Sequence, residues 1–95
     1  MDFEKEEFGR GTKIFYVEQD KYGYYDIKKG TVTRRREYGF MNVTHYYIHE
    51  HRKALIDSEF VFGTLNDAKE YVLEKLVEEE HIVQQEIERI VNLKV

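Results

Sequence analysis

"VFGTLNDA", residues 61–68, joins two kinds of periodicity. Before Gly63 apolar side chains tend to alternate. After it they recur at Leu65, Ala68, Val72, Leu76, Val83, Ile87 and Ile90, in steps of three, four or seven. A period of two belongs to strands and a period near 3.6 to helices, so the fold changes type here. The junction also carries a helix start. Thr64 offers an N-cap oxygen, and Asp67 stands three residues on, where a capping box usually has Glu.

Downstream of the junction, an unbroken helix from 65 to 92 would span ~40 Å at 1.5 Å per residue. A strand of six or seven residues covers only ~20 Å. Ala68, Val72 and Leu76 can therefore pack on a sheet, while the apolar positions of 82–93 extend past it. The series lapses at "EEE" (78–80), the place for a bend. Either the chain folds back there, or Val83, Ile87 and Ile90 meet a twin stripe on a second copy. Self-association is the expectation, because monomers seldom leave such a stripe in water.

Upstream, "KIFYVEQ" (13–19) alternates, "DKYG" (20–23) reads as a turn, and "YYDIK" (24–28) as the second strand of a hairpin. "KKG" reads as another turn, into "TVTRRRE" (31–37), and Gly39 as a bulge or bend before "FMNVTHYYIHE" (40–50). "ALIDSEFVF" (54–62) completes four or five strands with short links. The expected fold class is α+β: an antiparallel meander over 13–62, then a long amphipathic helix over 64–93, possible bend at 78–81 included. Residues 1–12 are expected to form an acidic, flexible N-terminal segment.

A chain of 95 residues makes one domain with a modest core. The absence of cysteine removes disulfides and thiolate metal sites and suits a reducing cytoplasm. The acidic "MDFEKEEF" lacks the pattern of a secretory signal, and no run of ~18 apolar residues offers a membrane span. Net charge −4 conceals a division. Residues 1–9 carry four acids and one lysine, and residues 64–95 eight acids and four basic residues. The centre, 10–63, has ten Lys or Arg against seven acids, and seven of the eight tyrosines. Such asymmetry marks a surface for charged partners.

"THYYIHEH" (44–51) concentrates three histidines and two tyrosines. In a strand, His45, Tyr47, His49 and His51 share one face, and Tyr46, Ile48 and Glu50 the other. His49 and His51 have the H-x-H spacing of two metal ligands, with His45, Asp57 or Glu59 as a third, yet nothing completes a zinc set. No metal and no cofactor is expected; the histidines read as a polar outer face over an inner face of Phe15, Val17, Tyr46, Ile48, Phe60 and Phe62. Catalysis is not expected either. Ser58 is the only serine and has no nucleophile elbow, and "FGRG" (8–11) lacks the rest of a phosphate loop.

The stronger constellation is "TRRRE" (33–37) with Tyr16, Tyr22, Tyr24, Tyr25, Tyr38 and Tyr47, and the residues expected to bind are Tyr16, Tyr24, Arg34, Arg36, Tyr47 and His49. Arg34 and Arg36 share a strand face, and Arg35 takes the other. Tyr and Arg are enriched at protein interfaces, so the expected function is a non-catalytic protein-interaction module. The alternative is single-stranded nucleic-acid binding, in which rings stack bases and arginines hold phosphate. In general character, a small cysteine-free chain of sheet then long acidic helix resembles the accessory and inhibitor proteins of bacteriophages, without any diagnostic motif. That resemblance implies a host-cytoplasmic location and a host or defence enzyme as partner, such as a nuclease whose groove the acidic helix occupies.

Overall fold

The structure, a computed structural model, describes residues 7–39, 43–49, 55–79 and 84–95. It is α+β: an antiparallel five-stranded sheet that curls, followed by two helices. The strands are β1 (Lys13–Gln19), β2 (Tyr25–Tyr38), β3 (Val43–Ile48), β4 (Ile56–Asp57) and β5 (Val61–Phe62). The helices are α1 (Leu65–Glu78) and α2 (Gln84–Val91).

The β1–β2 hairpin follows from Asp20 and Gly23. The Asp20 carboxylate accepts hydrogen bonds from the amides of Tyr22 and Tyr24 at 2.8 and 2.9 Å, closing the turn through its side chain. Gly23 has φ +88°, a conformation glycine adopts at little cost.

No turn forms at "KKG". β2 runs straight through Gly30, because its two halves serve different partners: 25–31 pair with β1 and 32–38 with β3. The sheet order β4-β3-β2-β1-β5 also departs from a pure meander. Residues 54–62 are not one strand, since Asp57 caps a 3-10 turn over Ser58–Phe60, its carboxylate accepting from the Glu59 amide at 2.9 Å. That turn carries the chain from the β3 edge, where β4 pairs, to the β1 edge, where β5 pairs.

The curl gives the sheet two apolar faces. Ile14, Tyr16, Val32, Tyr46, Ile48, Ile56 and Val61 pack together on the inner one, with Phe8 over them. Phe15, Val17, Tyr25, Ile27 and Phe62 lie on the outer one, against the helices. The apolar set expected on one face is therefore divided, Phe60 touching both clusters. Phe8 is 5% exposed, and its amide donates to the Tyr46 hydroxyl at 3.1 Å. Along residues 8–12 the Gly11 amide donates to the Val32 carbonyl at 2.7 Å and the Val32 amide to the Thr12 carbonyl at 3.0 Å; residues 1–6 lie outside the described residues.

Thr64 caps α1, its hydroxyl accepting from the Asp67 amide at 3.1 Å. α1 ends at Glu78, and α2 returns to the same core. Ile90 is completely buried against the cluster of Ala68, Val72 and Leu76, and Ile87 packs beside it. Within the chain Ile90 is thus buried and Ile87 partly so, against the same cluster that α1 covers. Val83 lies outside the described residues. Lys69 donates to the Val91 carbonyl at 2.8 Å and Arg89 to the Tyr25 carbonyl, tying α2 to α1 and to the sheet.

Candidate binding face

The helices cover the outer face of the sheet only over β1, β5 and the first half of β2. Over the second half of β2 and β3 that face is open, and a β-bulge decides what occupies it. Val32 pairs with Ile48 but Arg34 pairs with Tyr47, so Thr33 is an extra residue in the ladder. One added residue reverses the alternation beyond it. Val32 thus points into the core, yet Arg34 and Arg36 face outward with Tyr47 and His45, and Arg35 faces inward with Tyr46.

The two sets of arginines have different company. Arg35 binds the carboxylates of Glu7 at 3.0 Å and Glu37 at 3.2 Å. Among the described residues Arg34 and Arg36 have no carboxylate partner. Their guanidinium carbons lie 5.7 Å from the Tyr47 centroid and 5.2 Å from the Tyr38 centroid, within cation–π range. Tyr38 in turn meets His45 edge-on, with centroids 5.2 Å apart. Stacking of this kind restrains a guanidinium without using its N–H donors.

His45 sits at the border of this face. Its Nε2 is 3.7 Å from the Asp57 carboxylate across the β3–β4 pair, and its buried Nδ1 has no partner among the described residues. No group of three His, Asp or Glu able to hold a metal occurs among the described residues. His51, the other half of the H-x-H pair, lies outside them.

Of the six expected binding residues, Arg34, Arg36 and Tyr47 share this face, and His49 is exposed in the turn just after β3. Tyr16 does not: it is 2% exposed and belongs to the inner core, because both faces of β1 are covered. Tyr24 is exposed but stands at the turn end of the β1–β2 hairpin. Tyr38, one of the tyrosines grouped with the arginines in the sequence, and His45 complete the face. The edge contact between them depends on the bulge, which no residue in "TVTRRRE" announces.

Two further tyrosines are structural. Tyr25 donates to the Glu79 carboxylate at 2.7 Å, and burial first, then this bond, pushes its phenol up to about 12. Tyr71 packs against Phe60 and Phe62, and burial raises its phenol as well. Neither is a candidate for proton transfer near neutral pH.

No protein family, curated protein or solved structure matches this chain. No helix among the described residues is long and apolar enough to cross a membrane.

Proposed function

We propose that this chain is a non-catalytic binding module whose open β2–β3 face engages an acidic surface on a protein partner. The observation that supports this is the pair Arg34 and Arg36: stacked on tyrosines, aligned by the bulge and without carboxylates among the described residues. A partner's Asp or Glu supplies the missing acceptors in charge-assisted bonds, while Tyr38 and Tyr47 contribute apolar contact.

The resemblance to phage accessory and inhibitor proteins supports a bacterial enzyme as the partner. In that reading α1 adds a second surface, since Asp67, Glu70, Glu74 and Glu78 are all exposed and recur at helical spacing. Single-stranded nucleic acid is the competing ligand, because the same arginines suit phosphate. Against it, each ring already carries a guanidinium near one face, which a stacking base would have to share or displace.

The test is a pull-down from nuclease-treated bacterial lysate, comparing the wild type with Arg34→Glu/Arg36→Glu. One protein retained by the wild type and lost by the variant supports the proposal. Retention by both, or binding of an oligothymidylate probe that weakens steeply with salt and is lost in the variant, overturns it.

A further inference from the structure

Building on the acidic partner proposed above, we infer that the element docking on the open β2–β3 face is an α-helix carrying two carboxylates one turn apart. The side chains of the face form a row. Arg34, Arg36 and Tyr38 follow at alternate positions of β2, with Tyr47 opposite Arg34 and His45 opposite Arg36. Alternate residues of a strand stand ~6.8 Å apart, so the three span ~14 Å. A helix presents side chains at i, i+4 and i+8 along one flank at intervals of ~6 Å, ~12 Å in all. The long arginine side chains absorb the difference.

Main-chain chemistry decides between a helix and an extended segment. The N–H and C=O groups of β2 and β3 lie in the plane of the sheet, where the ladder between the strands runs, and do not point at an occupant of the face. An extended segment laid over Tyr38 and Tyr47 would press its own donors and acceptors against rings that cannot pair them. A helix has already paired its own.

Charge fixes the pattern on that helix. The Arg34 guanidinium lies over Tyr47, across on β3, and the Arg36 guanidinium over Tyr38, along β2. Held on different rings, the two match a pair of separate carboxylates better than one phosphate. Asp57, 3.7 Å from His45 Nε2 on the β4 side, repels a second acidic row there. The acids therefore stand over β2 at i and i+4, with an apolar side chain one turn further on for the ring of Tyr38.

The probe is a fluorescein-labelled, hydrocarbon-stapled alanine helix of about four turns, with Glu at i and i+4 and Leu at i+8, read by anisotropy and by amide chemical shifts. Expected are saturable binding, shifts centred on Arg34, Arg36, Tyr38 and Tyr47, and a loss of about tenfold, 1.4 kcal/mol, when the second Glu moves to i+2 on the opposite flank. Arg34→Gln/Arg36→Gln should weaken binding at least as much while keeping the melting curve, since both side chains are exposed. Equal affinity of the respaced helix, equal affinity of a proline-interrupted peptide of the same composition, or no binding at about 1 mM would each overturn the helix and leave the acidic partner standing. Binding unchanged in the arginine variant would overturn both.

Discussion

Arg34 stands directly opposite Tyr47 across the β2–β3 pair, while Val32, two residues earlier, stands opposite Ile48. Two steps along β2 are matched by one along β3. The arginine side chain therefore emerges on the open face rather than in the core, and Thr33 is the residue responsible.

Deleting Thr33 should remove the bulge while leaving Arg34 opposite Tyr47 and Arg36 opposite His45, since Arg34 then follows Val32 directly in the ladder. No guanidinium is turned into the core, so the deletion variant should keep cooperative melting and the outward arginine face. Thr33→Ala keeps the residue count and forfeits one exposed hydrogen bond to the Tyr47 carbonyl. Its melt should stay close to the wild type. Calorimetry on both variants checks the pair, and loss of cooperative melting in the deletion variant would refute the account.

Ile90→Ala should destabilise the fold by about 2–5 kcal/mol, the usual cost of truncating a buried aliphatic side chain. Val91→Ala, at a 52% exposed neighbour, should cost little. Because Ile90 packs within its own chain, the loss should not vary with protein concentration. Urea denaturation at two concentrations tenfold apart checks this, and a concentration-dependent midpoint would return the stripe to an interface between copies.

Tyr25 predicts an alkaline effect. Its phenol is raised from about 10 to about 12, so folding favours the protonated form. The stabilisation is complete below pH 10 and fades as pH rises through 12. Tyr25→Phe should lose about 1–3 kcal/mol at pH 8, where the bond to Glu79 is intact, and the difference should narrow toward pH 12. Denaturation at pH 8, 10 and 11.5 measures it.

Thr64→Ala should cost about 1 kcal/mol through loss of the α1 cap, a shift visible by circular dichroism melting. Thr64→Asn should restore most of it.

The helix start, the first hairpin and the opposite facing of Tyr46 and Tyr47 were legible because each rests on neighbours in sequence: Thr64 with Asp67, Asp20 with Tyr22 and Tyr24, and strict alternation. What was not legible depends on distant partners. Tyr16 looks exposed only if β1 has one covered face, and its burial needs Val61 and Tyr46 brought from far along the chain. Ile87 and Ile90 look free until α2 returns to Val72 and Leu76. The arginine face was half legible, since Arg34 and Arg36 share a side under any alternation, but which side depends on Thr33.

The segment 56–62 holds both margins of the curled sheet, β4 against β3 and β5 against β1. This gives folding an order in time. The β1–β2 hairpin closes over the short connection 20–24 and can form within microseconds. Joining Tyr16 to Val61 must close a loop more than forty residues long, and that entropy is spent before any reward is collected. The barrier to folding should therefore lie at this late seam, so that Val61→Ala slows folding while substitutions at the Asp20 turn chiefly alter unfolding.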